Sequence, residues 1–327
     1  MTRQLLARAH AWKLKEPFAI SRGVRSEARV AIVELHQDGK VGRGEACGVP
    51  YHGETPETML AQIEGARAAI EAGCDRHGLR EVLPAGGARH AVDAAMWDLE
   101  AKLAGVPAWR LAGASRWESI SSAVTIGIRG VDAYEDAARE RAGFPWLKVK
   151  VGRGSPLEAV AAVRRGAPDA HLIVDTNQSW TLDELREYAP QLQPLRVDLL
   201  EQPRAAGADD GLVDCASPIP LCADESLSTM DDLPGLVGRY QFVNIKLDKV
   251  GGLTSALELA AAARASGFRL MVGCMLGGSV SVAPGMVLAQ QCEVCDLDGP
   301  WLQSEDWPHG IVYDHGRMLP PAPELWG

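Results

Sequence analysis

The chain has 327 residues and a formal net charge of −10, with 46% hydrophobic and 23% charged side chains. This composition is typical of a soluble globular protein that is long enough to bury a large core. The acidic balance argues against nucleic acid and anionic membranes as main partners, although it does not exclude anionic substrates.

Residues 1–112 are predicted to form an α+β capping domain. A strand at Ala28–Glu34 and a returning strand at Val41–Cys47 flank the segment Gln37–Lys40, which contains an Asp-Gly pair. An Asp-Gly pair between two strands is typical of a tight hairpin turn. The sequence therefore predicts an antiparallel hairpin at the start of this domain.

Two helices are predicted after the hairpin. Thr55 is suited to cap the first helix, with Pro56 at its first position. The second helix is expected at Ala88–Ala104. Its apolar residues recur with helical spacing on one face, and they are Val92, Ala95, Met96, Leu99 and Leu103.

From Ser121 onward, short β-branched or Leu-rich runs alternate with helical segments such as Leu253–Ala265. Eight strands are predicted. The first two are Ala123–Gly127 and Leu147–Val151, the next four end at Asp175, Glu201, Asp224 and Lys246, and the last two are Leu270–Gly273 and Val294–Asp298. Such alternation favours a parallel β-barrel. The predicted class is therefore α/β, a modified TIM barrel.

The residues after Asp298 show no helical period. We therefore expect a (β/α)7β barrel over residues 113–302 that lacks its eighth helix. Residues 303–327 are predicted to be a tail that packs on the capping domain and completes it.

Three acidic residues, Asp175, Glu201 and Asp224, end successive predicted strands at intervals of 23 to 26 residues. The carboxyl ends of parallel barrel strands meet at one face, where active sites lie. Any one of these residues could instead be a strand-end salt-bridge partner, but three in succession favour a shared role. Carboxylates suit Mg²⁺, which takes few protein ligands. We predict one Mg²⁺ per subunit.

Lysines flank the acidic set on two sides. Lys148 and Lys150 are two apart on one strand, so they project in the same direction, and Lys246 ends a strand four positions further on. We expect Lys148 to tune Lys150 through like-charge repulsion and to contact a bound carboxylate. With a substrate carboxylate on Mg²⁺, one lysine could remove an α-proton and the other could return one to the opposite face. This arrangement predicts racemisation or epimerisation through an enediolate.

Several segments resemble the muconate-lactonising subgroup of the enolase superfamily, and the resemblance covers essentially the whole chain. These segments are Leu147–Lys150, Ile173–Gln178, Leu200–Pro203, Cys222–Ser226 and Asn244–Gly252. Enolase-superfamily sites combine a Lys or His base with Mg²⁺. The resemblance implies this fold, this cofactor and the lysine pair Lys150 and Lys246.

Within the subgroup, Asp296 and Asp298 resemble the Asp-x-Asp motif of dipeptide epimerases, which holds the α-ammonium of the substrate. Two carboxylates facing the same way would suit a cation, although they could instead be a charge pair at a strand end. The resemblance implies epimerisation at the α-carbon of the C-terminal residue of a dipeptide, with L-Ala-D/L-Glu as the expected substrate. It also implies a role in peptidoglycan recycling.

Further positions match the family one by one. The segment Ile20–Val30 resembles a mobile specificity loop, in which Arg25 matches an arginine that meets an acidic side chain. Arg22 is nearby, and either arginine could be a solvated loop charge. Thr125 matches a threonine that contacts substrate, although threonine is also a common residue in strands without any such role.

Three more matches concern the surroundings of the site. The segment Gly273–Ser279 resembles the Cys-Met loop after strand seven, with glycines where relatives commonly carry larger or hydroxyl residues. Asn177 and Gln202 match residues that support the metal ligands.

Other readings stay open at this point. Another reaction of the subgroup, such as that of an o-succinylbenzoate synthase or a cycloisomerase, would use substrates without an amine. The enzyme could also epimerise a different class of dipeptide. A non-catalytic metal-binding barrel would need no lysine base. A small-molecule dipeptide is the expected partner, neither nucleic acid nor a membrane is expected, and a homo-oligomer is left open.

The location is predicted to be cytoplasmic. The first ten residues lack the apolar run of a signal peptide, and no stretch approaches about 18 uncharged apolar residues. Seven scattered cysteines favour a reducing compartment. Cys292 and Cys295 have the spacing of half a redox or zinc site, but no second pair matches, so we expect no such role.

Overall fold

A three-stranded antiparallel sheet begins the fold, and the computed structural model describes residues 3–20 and 23–327. The strands are β1 (Gln4–Ile20), β2 (Gly23–Gln37) and β3 (Lys40–Ala46). The helices that follow are α1 (Pro56–Glu71), α2 (Leu79–Val82), α3 (Gly87–Ala104) and α4 (Ala108–Leu111). A 3-10 turn at Pro50–His52 precedes α1.

Local sequence signals set the boundaries of this capping domain. Asp38 and Gly39 both have positive φ, at 50° and 74°, which is the backbone of a two-residue hairpin turn. Thr55 caps α1: its hydroxyl accepts the Thr58 N–H at 3.3 Å, and the Thr58 hydroxyl accepts the Thr55 N–H at 2.9 Å. The predicted turn and the predicted start of α1 are therefore confirmed.

Helix α3 packs along β3. The residues predicted to share its apolar face are buried except for Leu103, which is 40% exposed. The Lys102 ammonium already donates to the Val41 carbonyl near the start of β3, so the last turn of α3 extends past the sheet. At the centre of the contact, a Cβ on Gly44 would lie 1.9 Å from the Ala91 carbonyl oxygen, so only glycine allows this approach.

After the short strand β4 (Ile120–Ser121), eight parallel strands form one sheet in which chain order is also spatial order. They are β5 (Val124–Ile126), β6 (Trp146–Lys150), β7 (His171–Asp175), β8 (Val197–Glu201), β9 (Leu221–Ala223), β10 (Phe242–Lys246), β11 (Arg269–Gly273) and β12 (Val294–Asp296). The seam between β12 and β5 is bridged by the Ala123 N–H, which donates to the Cys295 carbonyl at 2.8 Å. The sheet is therefore a barrel, as predicted.

Helices cover the outside of the barrel unevenly. They are α5 (Val131–Glu140), α6 (Pro156–Gly166), α7 (Leu182–Leu192), α8 (Leu233–Leu236), α9 (Leu247–Val250), α10 (Leu253–Ala265) and α11 (Ser279–Ala289). Shorter 3-10 turns lie at Gln193–Leu195, Asp210–Leu212, Met230–Asp232 and Pro300–Leu302. Within residues 3–20 and 23–327, no α-helix follows β12, and the β8–β9 link contains only a 3-10 turn. None of the helices described combines the length and apolar composition that crossing a bilayer requires.

The segment after the barrel returns to β4 and then to the capping domain. Strands β13 (Tyr313–Asp314) and β14 (Arg317–Met318) form a small sheet with β4. Further on, the Trp326 indole donates to the Ala94 carbonyl of α3 at 3.0 Å, and Arg43 of β3 donates to the Glu324 carbonyl at 3.0 Å. These contacts tie the end of the chain to α3 and β3.

Candidate functional site

Strand register brings most of the predicted residues to one end of the barrel. The pairing of β6, β7 and β8 places Lys150, Asp175 and Glu201 side by side. The pairing of β10, β11 and β12 places Lys246 and Asp296 in another row. Because β6 and β10 are four strands apart in an eight-stranded barrel, the two lysines stand on opposite walls.

A cavity of about 380 Å³ opens between this end of the barrel and the capping domain. The predicted residues in its walls are Arg25, Thr125, Lys148, Lys150, Asp224, Lys246, Asp296 and Asp298. The capping domain also contributes Phe18, Cys47 and Tyr51, and the loop after β11 contributes Met275 and Leu276. Apart from Arg25, the charged groups thus lie on the barrel side, and the capping domain and the loop after β11 contribute mostly apolar groups.

The Lys148 ammonium lies at the centre of the acidic cluster. It is 2.7 Å from Asp296 Oδ2, 2.8 Å from Glu201 Oε2 and 3.2 Å from Asp175 Oδ2. Burial alone would lower the pKa of Lys148, but these three carboxylates outweigh it and hold that pKa well above its usual range. Lys148 therefore carries a fixed positive charge that joins the predicted metal ligands to Asp296.

Each lysine of the predicted acid–base pair is held by a different carboxylate. Lys150 Nζ donates to Asp175 Oδ2 at 2.5 Å, and Lys246 Nζ donates to Asp224 Oδ2 at 2.7 Å. The other oxygen of Asp224 accepts from Lys249 at 2.7 Å. Lys249 was not singled out in the sequence, where it is one of several charges just after a strand.

The same contacts explain the pKa values of the three buried carboxyl groups. Burial would raise the pKa of Asp175, but the ammonium groups of Lys150 and Lys148 lower it to about 2. Burial would also raise the pKa of Asp224, yet Lys246 and Lys249 hold it well below its usual range. Burial, with the nearby Asp175 charge, raises the pKa of Glu201 to about 7. Glu201 is thus the carboxyl whose charge is least compensated by ammonium groups.

Neighbouring amides fix the orientation of the acidic side chains. The Asn177 N–H donates to Asp175 Oδ1 at 2.8 Å, whereas Gln202 Oε1 accepts the backbone N–H of Asp224 at 2.8 Å and so holds the main chain beside that carboxylate. Asn244 donates to Glu201 Oε1 at 2.9 Å. We missed Asn244 in the sequence, although a polar residue two positions before Lys246 in an apolar strand signals the same inward face.

Asp298 lies at the barrel seam. Strand β12 ends at Asp296, so the prediction that it extends to Asp298 was wrong by two residues, because the Leu297 N–H turns away to the Ser122 hydroxyl at 2.9 Å. Asp298 still lines the cavity, and its Oδ2 accepts the Thr125 N–H at 2.7 Å. Burial and the Asp296 charge raise the pKa of Asp298 to about 7.

The two aspartates offer oxygen atoms to a cation. Among the described residues, no donor hydrogen-bonds Asp296 Oδ1, which is buried. A buried carboxylate oxygen without a donor is costly unless a ligand satisfies it. An ammonium group between Asp296 and Asp298 would do so.

Arg25 reaches the cavity from the other side, at the β1–β2 hairpin. It is half-buried and lines the cavity together with Cys47, where burial raises the pKa of the thiol and the Arg25 charge opposes that rise. The adjacent Val24 is 68% exposed. Arg22, the other candidate in this segment, lies outside the described residues.

The residues present fit a divalent cation. Among the described residues, no group of three His, Cys, Asp or Glu side chains has the geometry of a metal site in this structure. The carboxylates of Asp175, Glu201 and Asp224 are instead paired with lysine ammonium groups. The donors of Asp175, Glu201 and Asp224 are all carboxylate oxygens, which suit a hard ion such as Mg²⁺. Within the described part of the chain, Glu201 Oε2 is buried and makes no hydrogen bond of regular geometry, although the Lys148 ammonium lies 2.8 Å away, so a metal would compete with that ion pair for its lone pairs.

Comparison with known proteins gives consistent results over both parts of the chain. Residues 2–113 match the model of the mandelate racemase / muconate lactonizing enzyme N-terminal domain, and residues 132–323 match an enolase C-terminal domain-like model. The L-Ala-D/L-Glu epimerase of Escherichia coli (strain K12) is 44% identical, over 94% of this chain and 97% of that protein.

Solved structures resemble the whole fold. An enolase family member from Agrobacterium tumefaciens, described as having homology to dipeptide epimerases and with bound sodium and L-Ala-L-Glu, aligns with a TM-score of 0.97 at 40% identity, covering 99% of this chain and 100% of that one. A dipeptide epimerase from Enterococcus faecalis V583, complexed with Mg and L-Leu-L-Tyr, aligns with a TM-score of 0.91 at 28% identity, covering 98% of both chains.

Proposed function

The chain belongs to the mandelate racemase / muconate lactonizing enzyme family and is an isomerase, and we propose that it is a Mg²⁺-dependent dipeptide epimerase that inverts the α-carbon of the C-terminal residue. We propose L-Ala-D/L-Glu as its substrate. The observation that carries the proposal is the placement of Lys150 and Lys246 on opposite walls of one cavity, with buried carboxylates beside both.

Asp175, Glu201 and Asp224 are the residues that would hold Mg²⁺, which supplies positive charge to the substrate carboxylate as the α-proton leaves. Lys150 and Lys246 would share their carboxylate partners, Asp175 and Asp224, with the ion. One lysine, once deprotonated, takes the α-proton, and the other donates its proton to the opposite face. The two lysines exchange roles in the reverse direction.

The cavity also supports a substrate with one ammonium and a second carboxylate. Asp296 Oδ1 and the Asp298 carboxyl provide acceptors for an α-ammonium on the barrel side. Arg25 provides a guanidinium on the capping side, suited to a carboxylate in the substrate side chain. Lys148 stays bound to three carboxylates and contributes charge to the site, so we assign it no proton transfer.

Isotope exchange tests this proposal. The protein is incubated in D₂O with Mg²⁺ and either L-Ala-L-Glu or L-Ala-D-Glu, and both α-deuterium uptake and inversion are measured. N-acetyl-L-glutamate, which lacks the ammonium, is the matched control. We expect uptake and inversion with both dipeptides, with EDTA stopping both. Turnover of the amine-free compound in preference to the dipeptides would contradict the proposal and favour another reaction of the family.

A further inference from the structure

Asp248 joins the barrel to the capping domain directly beside the catalytic lysine. It lies two residues after Lys246, in the first turn of α9, and is 2% exposed. Its Oδ1 accepts the N–H groups of Cys47 at 3.0 Å and Gly48 at 2.9 Å. Two consecutive backbone N–H groups on one oxygen form a small anion-binding concavity, here in one domain around a carboxylate from the other.

The segment that Asp248 holds has a fixed path. Gly48 has φ +75°, a left-handed backbone in which a side chain would also meet Met59 Sδ at 2.9 Å. The next N–H, that of Val49, donates to Glu54 Oε2 at 2.6 Å. Carboxylates therefore accept from three successive N–H groups. This segment leads into Tyr51, which lines the cavity.

The same segment contacts the arginine on the capping side. Arg25 and Cys47 line the same cavity, and the Arg25 charge acts on the Cys47 thiol. Asp248, two residues after Lys246, holds the Cys47 backbone, so the segment beside Arg25 is attached to the element that follows Lys246. Arg25 sits beside Val24, which is 68% exposed, at the tip of a hairpin. The Cys47–Gly48 segment that Asp248 holds therefore lies between the hairpin that carries Arg25 and the element that follows Lys246.

We propose that Asp248 is a positioning residue that sets the distance between Lys246 and Arg25, and so determines the preference for an acidic substrate side chain. The inference rests on the proposed function, because it assumes that Lys246 serves the α-carbon while Arg25 meets the side-chain carboxylate. A substrate that bridges both groups needs their spacing to be fixed. A substrate with a neutral side chain uses Lys246 without the guanidinium and depends less on that spacing.

The experiment compares Asp248→Ala, Asp248→Asn and Asp98→Ala. Asn retains an Oδ1 acceptor for the two N–H groups, so it should rescue the contact. Asp98 is the matched control, because it is also buried and also accepts two N–H groups, from Arg43 at 2.8 Å and Gly327 at 2.7 Å, but it lies away from the cavity. Deuterium exchange gives kcat and KM for L-Ala-L-Glu and for its neutral isostere L-Ala-L-Gln.

We expect Asp248→Ala to raise KM for L-Ala-L-Glu about tenfold or more, with kcat for L-Ala-L-Gln within about threefold of the parent value. The preference for Glu over Gln should fall about tenfold, and Asp248→Asn should retain most of it. Asp98→Ala should lower stability without changing the preference. An unchanged preference in Asp248→Ala, or equal losses of kcat for both substrates, would overturn the inference.

A second measurement separates this inference from the proposed function. Amide hydrogen exchange in a peptide covering residues 44–52 should become about tenfold faster in Asp248→Ala and stay unchanged in Asp98→Ala. If the parent protein exchanges no dipeptide α-proton, the proposed function fails. If the dipeptides exchange but the amides of residues 44–52 keep the parent rate in Asp248→Ala, the proposed function stands and the role of Asp248 is refuted.

Discussion

Lys150 and Lys246 stand four strands apart in the barrel, and each is ion-paired with its own buried carboxylate, Asp175 for one and Asp224 for the other. The two ammonium groups are therefore held independently on opposite walls. In the proposed reaction each would serve one face of the α-carbon. Removal of one lysine should then abolish proton transfer on its own face of the α-carbon and retain proton transfer on the other face.

Lys150→Ala and Lys246→Ala should each lower epimerisation by at least about 10³-fold, because proton transfer on one face is lost. Each variant should still exchange the α-proton of one isomer in D₂O, and the two variants should retain opposite isomers. The measurement is deuterium uptake from separate L-Ala-L-Glu and L-Ala-D-Glu samples. Lys40→Ala, at an exposed lysine in the hairpin, is the control and should behave as the parent. Parent-rate exchange of both isomers in both variants would refute the assignment.

Asp298→Asn should lower kcat/KM for L-Ala-L-Glu by about 10²-fold, since the ammonium of the substrate would lose a charged partner. The asparagine retains an oxygen for the Thr125 N–H, so the melting temperature should change little. Asp298→Ala removes that acceptor too and should cost about 1–3 kcal/mol of stability in addition. Steady-state kinetics and thermal denaturation measure the two effects. An unchanged kcat/KM for L-Ala-L-Glu in Asp298→Asn would show that Asp298 does not bind the ammonium of the substrate.

Addition of Mg²⁺ should raise the melting temperature in a concentration-dependent way, because ligand binding to the folded state alone stabilises that state. EDTA should reverse the shift and stop α-proton exchange. Asp224→Asn should weaken the shift, whereas Asp98→Asn, at a buried acid outside the cavity, should keep it. Differential scanning calorimetry over a range of Mg²⁺ concentrations tests this, and an equal shift in Asp224→Asn would exclude Asp224 as a ligand.

Glu45 should make stability depend on pH. It is fully buried and accepts N–H groups from Trp12, Trp307 and Gly278, yet burial raises its pKa from 4.5 to about 7. Below about pH 4.5 both folded and unfolded states hold the proton. As pH rises toward 7 the unfolded state releases it first, so the free energy of unfolding falls, and above pH 7 the loss is constant.

The matched variant for this prediction is Glu45→Gln, which cannot ionise. From pH 4.5 to pH 8 the parent should lose up to about 3 kcal/mol relative to the variant. Urea denaturation at several pH values gives the difference directly, and other titrating groups cancel because both proteins contain them. A difference that does not change with pH would show that the Glu45 carboxyl ionises as easily in the folded protein as in the unfolded chain.

Substitutions of two glycines by alanine test the packing of the capping domain. Gly44→Ala places a methyl group 1.9 Å from the Ala91 carbonyl oxygen, so it should destabilise the protein by about 1–3 kcal/mol. Gly65→Ala lies on the exposed side of α1 with open space around the new methyl group, and it should stabilise by about 0.5–1 kcal/mol. Thermal or urea denaturation distinguishes the signs, and similar effects at both sites would contradict the close approach of β3 to α3.

Features that depend on neighbours in the sequence could be predicted from it. The Asp38–Gly39 turn, the Thr55 cap and the strand ends at Asp175 and Glu201 each follow from a few adjacent residues. The convergence of the charged residues at one end of the barrel could also be predicted, because parallel strands of similar length end at the same face.

Features that depend on distant partners were not predicted. Strand β1 is an edge strand that contains Pro17 and shifts register between Lys13 and Phe18, so it lacks a regular apolar alternation. Glu45 and Asp248 each accept backbone or indole N–H groups about 200 residues or more away, and nothing local marks them. Whether a buried carboxylate serves chemistry or joins two domains is decided by such contacts.

The contact between Asp298 and the Thr125 N–H has an evolutionary consequence. The side chain proposed to meet the ammonium of the substrate also closes the seam of the barrel. A descendant that turned to amine-free substrates could not exchange it freely for an apolar residue, since the Thr125 N–H would then be left without its acceptor. Asparagine would keep an oxygen for the Thr125 N–H while removing the negative charge, so it is a substitution that changes the ammonium site without removing the acceptor at the barrel seam.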